Sequence, residues 1–219
     1  VSEKVIEKID KFLLEEETKK QDRIRSGKWS PSSFGKCYRA QYWNRLNEPK
    51  TNPLEAQTLR VFRIGNLIHQ FFQDILRKEY LCEVKVETND VLGFADMVNI
   101  DEVIDIKSVR SFQFKLMKGK KDKQYDFAVE KKDNILQVTY YGKELMRKKG
   151  RLIFVDKDSL DVIEYEFNIT DFEKELQNEL DILSEYWNKK ELPPARPRCY
   201  NGKECSYCGY SILEECKIK

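Results

Sequence analysis

The chain has 219 residues, 40% of them hydrophobic and 36% charged, enough for one large domain or a core with an appendage. Forty Lys and Arg nearly cancel thirty-eight Asp and Glu, so bulk charge gives no argument for a polyanionic partner. No apolar stretch approaches the ~20 residues that span a bilayer, and the charged start VSEKVIEKID does not read as a signal peptide.

The expected compartment is therefore the cytoplasm, with no membrane partner. Six cysteines there argue for metal or cluster ligation rather than disulfides. Cys37 and Cys82 stand alone, whereas Cys199, Cys205, Cys208 and Cys216 crowd the C-terminal end. Two basic runs, Lys115, Lys118, Lys120, Lys121 and Lys123, then Lys143, Arg147, Lys148, Lys149 and Arg151, can meet phosphate or be solvated faces.

Residues 3–21 place Val5, Ile6, Ile9, Phe12 and Leu13 at near-helical spacing. In SPSSFGKCYRAQYWNRL, Ser32 or Ser33 can cap a short helix carrying Cys37, Tyr38 and Tyr42. Pro53 can start a helix running to about Tyr80, with Leu59, Phe62, Leu67, Phe71, Phe72, Ile75 and Leu76 as its apolar face and Gly65 as a weak point. Cys82–Thr88, Leu92–Ile100 and Val103–Lys107 are rich in Val and Ile and separated by turn residues, which reads as a three-strand meander. Residues 108–132 read as a loop with a little helix. A helix follows from Asp133 to Lys149, capped by Asp133 or Asn134 and stopped by Gly150. Leu152–Val155 and Val162–Ile169 read as two strands joined by Asp156–Ser159. A last helix, capped by Thr170 or Asp171, runs to about Lys190 before LPPARP. The order predicts a mixed α/β core.

Four short features can carry chemistry: Gly65 and His69 in GNLIH, Asp96 in GFADMV, Asp105 and Lys107 in DIK, and Gln137 and Tyr141 in QVTYY. Adjacent antiparallel strands bring cross-strand side chains to ~5 Å, so Asp96 and Asp105 can converge on a divalent ion, which prefers oxygen ligands. Residues 105 and 107 share parity and project to one face. A lysine there can orient or deprotonate an attacking water and offset phosphate charge. Each piece also has a plainer reading. A D-x-K triplet is commonly a surface ion pair, a histidine on an apolar helix face is commonly core, Gln137 and Tyr141 can cap and pack a helix, and Glu83 can be an outward strand charge.

Together, in this order, these motifs resemble the series of RecB-like nucleases in the PD-(D/E)XK superfamily, over roughly residues 30–216. The resemblance implies a restriction-endonuclease-like core, a mixed central sheet flanked by helices. It divides the chain into an N-terminal helical region (1–80), a nuclease core (81–190) and a cysteine-rich tail (191–219) packing back on the first. It implies His69, Asp96, Asp105 and the main-chain carbonyl of Ile106 as ligands of Mg2+ or Mn2+, and Lys107 as the catalytic lysine. Gln137 and Tyr141 would position that lysine and the nucleic-acid strand. Glu83 stands where such proteins often carry an acid.

The run CSYCGYSILEEC lets Cys205 and Cys208 reach one metal centre from a tight turn, but a second C-x-x-C for a structural zinc site is absent. CRISPR-associated exonucleases of the RecB-like type carry an iron–sulfur cluster, with one cysteine before the nuclease core and three after it. By that resemblance Cys37, Cys205, Cys208 and Cys216 would hold a [4Fe-4S] cluster, with Cys199 as the competitor to Cys37 and Cys82 as ordinary core. The function implied is a metal-dependent DNA exonuclease on single strands or ends, with protein partners in DNA processing or CRISPR adaptation. The alternatives are a non-catalytic nucleic-acid-binding subunit, using the basic runs and Tyr38, Tyr42 and Trp43, and a zinc-stabilised adaptor.

Overall fold

The computed structural model describes residues 4–21, 26–119 and 125–195, and in the tail positions 205, 208–211, 213 and 216. Three helices come first: α1 (Val5–Gln21), α2 (Tyr38–Arg45) and α3 (Ala56–Leu76). The meander follows as β1 (Leu81–Glu87), β2 (Leu92–Val98) and β3 (Glu102–Val109). Next come α4 (Ser111–Met117), α5 (Phe127–Glu130) and α6 (Lys132–Glu144), then β4 (Lys149–Asp156), β5 (Val162–Asn168) and α7 (Glu173–Lys189).

The five strands form one mixed sheet in sequence order. β3 and β4 pair in parallel, and all other pairs are antiparallel. A parallel pair needs a crossover, and the stretch from α4 to α6 supplies it. The central strands show the consequence: residues 102–106 and 152–156 are buried without alternation, whereas the outer strands β1 and β5 are exposed at every second position for most of their length. One face of the sheet packs on α3 through Ile68, Met97, Ile104, Ile106, Ile153 and Val155. The other carries the larger core, where Ala95, Val103, Leu152 and Phe154 meet Ile135 and Val138 of α6 and Leu176 and Leu183 of α7.

Several boundaries differ from the sequence reading. α6 stops at Glu144 instead of Lys149, and Gly150 pairs with Phe167 inside β4 instead of ending a helix. The helix ends at a left-handed Met146, φ 55°, where the Met146 and Arg147 amides donate back to the Lys143 and Gly142 carbonyls, and the Arg147 guanidinium then donates to the carbonyls of Asn99 and Leu145. Asp133 and Asn134 lie within α6, whose N-cap is Lys131. Thr170 and Asp171 belong to a 3-10 turn ahead of α7, and Ser32 and Ser33 to another ahead of α2, where Cys37 is the N-cap.

The largest difference concerns α3. Phe62, Leu67, Phe71 and Ile75 are exposed, while Leu59 and Ile68 are buried and Phe72 and Leu76 half-buried. Two polar residues, His69 and Gln73, share the side that meets the sheet, which displaces the apolar stripe from its expected phase.

The aromatic cluster near Cys37 is core. Tyr42 and Trp43 are buried, the first edge-on to Trp187 and the second against Tyr210. Buried Arg45 lies between the rings of Trp29 and Trp187 and donates to Asp90 at 2.7 Å. The second basic run is also engaged. Arg151 pairs with Glu102, Glu164 and Glu166, Lys149 with Glu166, and Lys143 donates to Gln177. Of the first run, Lys118 pairs with Asp161, and residues 120–123 lie outside the described residues.

Candidate functional site

β2 and β3 pair at Val98–Val103 and Met97–Ile104, and the ladder then stops. The next rung would set Asp96 against Asp105. The Asp96 side chain occupies that gap: its Oδ2 accepts the Ile106 amide at 2.8 Å, a bond that a strand carbonyl would otherwise receive. His69 approaches the same point from α3, with Nδ1 3.4 Å from Asp96 Oδ2 and a hydrogen bond to the Ile106 main chain. Gly65 permits the approach of α3, since a Cβ there would stand 3.1 Å from Ser108 Oγ on β3.

Asp105 is 1% exposed. Its Oδ1 accepts Lys107 Nζ at 2.7 Å and Gln137 Nε2 at 3.0 Å, and its buried Oδ2 has no partner. Asp105 and Lys107 meet on one face, as their parity predicts, and α6 delivers Gln137 to the carboxylate. Tyr141, one turn further along α6, hydrogen-bonds Gln137. It is 2% exposed, with its hydroxyl against β2 at Gly93 and Phe94. A Cβ on Gly93 would fall 2.4 Å from that hydroxyl, so Tyr141 forms part of the wall and does not face a strand in solution. The sequence reading passed over Gln73, buried one helical turn beyond His69, which donates to Glu83 and to the Asp96 carbonyl. A polar residue at i+4 from the histidine was the available signal.

The charges follow from these contacts. Burial, then the Lys107 charge, holds the His69 imidazole below its ordinary value, so it is neutral at pH 7 and keeps a lone pair for a metal. Burial, then the Asp105 charge, pushes Asp96 up to about 7. Burial alone would lower Lys107, but Asp105 and Asp96 outweigh it and hold the ammonium above its usual range. Lys107 is therefore a fixed cation that can offset phosphate charge or orient water.

Among the described residues no three His, Cys, Asp or Glu side chains are already gathered as a metal cage. The donor set nonetheless fits a divalent ion: an unpartnered carboxylate oxygen on Asp105, a neutral imidazole, and a second carboxylate raised by burial and then by its neighbour.

The cysteines converge separately. Cys37 is buried, and Cys205, Cys208 and Cys216 are half-buried. The Cys216 thiol is pushed up to about 11 by burial and then by Cys37 and Cys208, with a smaller effect of Cys205. Cys37, Cys205 and Cys208 thus lie within electrostatic reach of Cys216, without any three thiols among the described residues being gathered as a cage. The tail is tied there by Thr51 and Asn52, whose amides donate to the Gly209 carbonyl, and by Asn52 Nδ2, which donates to the Cys208 carbonyl. Cys199 lies outside the described residues, and half-buried Cys82 packs beneath α3.

No protein-family model matches the chain, and no curated protein matches it in sequence. Among solved structures, SSO0001 shares the fold, at a TM-score of 0.61 and 18% identity over 99% of this chain and 98% of that one. An alkaline exonuclease (LHK-Exo) from Laribacter hongkongensis superposes less closely, at 0.48 and 13% identity over 78% of this chain and 97% of that one. Its complex with dAMP gives 0.43 and 16%, over 75% and 93%. The chain is thus a mixed α/β protein, a five-stranded sheet between helices, with a carboxylate–lysine–histidine site where two strands part.

The raised Asp96 predicts a pH effect on stability. The unfolded carboxyl ionises near 4, whereas the folded one does so at about 7. The folded state therefore binds the extra proton between these values, and its stability falls across that window as pH rises. Asp96→Asn, which is neutral throughout, removes this contribution. In thermal melts in EDTA, the stability of Asp96→Asn relative to wild type should increase from pH 4 to pH 7 and level off above it. A difference independent of pH would contradict the assignment.

Proposed function

We propose that the chain is a divalent-metal-dependent deoxyribonuclease, acting as an exonuclease on single-stranded DNA or DNA ends in the cytoplasm. The observation that carries this reading is the unpartnered, buried Oδ2 of Asp105 beside the charged Lys107. Binding alone needs no inward carboxylate, and burying one is costly unless a cation completes it.

His69, Asp96, Asp105 and the Ile106 carbonyl would hold Mg2+ or Mn2+, which supplies a Lewis acid for phosphodiester hydrolysis. Gln137 keeps the Asp105 carboxylate turned so that one oxygen meets Lys107 and the other stays open. Lys107 presents a fixed positive charge at the reacting phosphate. Tyr141 supports β2 from behind the site. A non-catalytic nucleic-acid-binding role draws less support, because its aromatics Tyr42 and Trp43 are core and most of its second basic run is engaged by acids or carbonyls.

The thiols of Cys37, Cys205, Cys208 and Cys216 are proposed as ligands of a structural [4Fe-4S] cluster, for which four thiolates are the usual set. The cluster would join the segment before α2 to the tail and close a loop of more than a hundred residues, restricting the unfolded chain as a long cross-link does. Protein partners in DNA processing, CRISPR adaptation among them, belong to the same proposal.

Purified protein supplied with Mg2+ or Mn2+ should degrade end-labelled single-stranded DNA or duplex ends. Asp105→Ala and Lys107→Ala should each reduce the rate by at least about a hundredfold, as loss of a transition-state charge contact does. Intact single-stranded, duplex and branched substrates under these conditions would overturn the reading. Protein purified without air should be brown and contain iron and sulfide. Cys37→Ser should lose that iron and Cys199→Ser should keep it, whereas a colourless zinc protein would support the adaptor reading.

A further inference from the structure

Gln73 is a polar residue in an apolar layer. It is 5% exposed and sits on the side of α3 that meets the sheet, among Ile68, Phe72 and Leu76. Its Nε2 donates to Glu83 Oε1 at 2.7 Å and to the Asp96 carbonyl at 3.3 Å. The two acceptors belong to neighbouring strands. Cys82 pairs with Met97 and Val84 with Ala95, which sets Glu83 across from Asp96 without a pairing of its own.

Both strands change character at this level. Side chains of a regular strand alternate between faces, so Cys82 and Val84 should share one. Instead Cys82 packs beneath α3, while Val84 and Val86 pack in the opposite core. On β2, Ala95 lies in that opposite core and Met97 beneath α3. The reversal on β1 coincides with a left-handed backbone at Glu83, φ 53°, which a non-glycine residue in a strand adopts only when its surroundings enforce it. Neither Glu83 nor Asp96 therefore has a regular slot in the sheet. The Asp96 carboxylate is held by the Ile106 amide, and Gln73, from outside the sheet, holds the Glu83 carboxylate and contacts the Asp96 carbonyl. The Glu83 charge in turn acts on His69 and on Asp96, so its carboxylate lies towards the site.

We propose that Gln73 is a positioning residue: through Glu83 it holds a third carboxylate beside His69 and Asp96 and so raises the site's affinity for a divalent ion. This inference rests on the metal-dependent reading above. Glu83 reverses its strand because its carboxylate is used on the α3 side, and Gln73 supplies the donor that keeps it there. Partners one step removed from a metal commonly change affinity by 10–100-fold.

The test is Mn2+ binding to DNA-free protein, followed by calorimetry, for wild type, Asp105→Ala, Gln73→Met, Glu83→Ala and the double variant Q73M/E83A. Gln73→Met keeps the volume and loses the donor, and thermal melts check that it folds. Gln73→Glu at pH 8 is the second variant, which keeps size and polarity but removes the amide donor. Wild type should bind Mn2+ and Asp105→Ala should not. Gln73→Met, Gln73→Glu and Glu83→Ala should each weaken binding about tenfold, and Q73M/E83A should bind no more weakly than Glu83→Ala alone. That non-additivity is what a purely structural glutamine would not show. Wild-type affinity in folded Gln73→Met, or losses that multiply in the double variant, would overturn the proposal while leaving the metal site standing. Wild type that binds no Mn2+ would overturn both.

Discussion

The bond from the Ile106 amide to the Asp96 carboxylate is the contact on which the rest of the site depends. It ends the β2–β3 ladder at Met97–Ile104 and lets the two strands part without leaving a buried amide unpaired. Into that opening the fold brings His69 from α3, Gln137 from α6, and Asp105 with Lys107 from β3. A regular ladder would have closed the gap and turned the Asp96 side chain elsewhere. The remaining β2–β3 pairs, and the eight-residue parallel pairing of β3 with β4, keep the opening local.

The arrangement gathers groups that oppose each other. Burial, and then the like charge of Asp105, raise Asp96 above the usual carboxylate range. Lys107 offsets part of this rise, and Gln137 and the Ile106 amide satisfy one oxygen of each carboxylate. What remains is the second oxygen of Asp105. Buried charges held this way seldom add stability, and their value lies in what they can do to a substrate. The central strands, apolar on both faces around the site, and the two cores they join supply the stability that such a cluster does not.

Much of this was legible in the sequence, for definite reasons. The meander showed itself through Val and Ile runs broken by turn residues, and the nearness of Asp96 to Asp105 followed from the antiparallel adjacency of their strands. Lys107 followed from parity alone. The reading failed where one residue type serves two purposes. Gly150 looks like a helix stop and is a strand residue beneath Phe167. Leu67, Phe71 and Ile75 look like a core stripe and are exposed, because His69 and Gln73 occupy part of the side that meets the sheet. Gln73 was signalled only by its i+4 spacing from His69, and its contact with Glu83 joins α3 to β1, which helical spacing alone does not encode. The choice between Cys37 and Cys199 was equally closed to spacing arguments. Cys37 lies within electrostatic reach of Cys216, and Cys199 lies outside the described residues.

The central claim is that a divalent ion completes the carboxylates where β2 and β3 part. Crystals soaked in MnCl2 and measured for anomalous scattering test it most directly. The account predicts one manganese peak within roughly 2.0–2.6 Å of Asp105 Oδ2, with Asp96 and His69 also in its coordination sphere. No peak, or a peak confined to surface carboxylates away from Asp105, would contradict it.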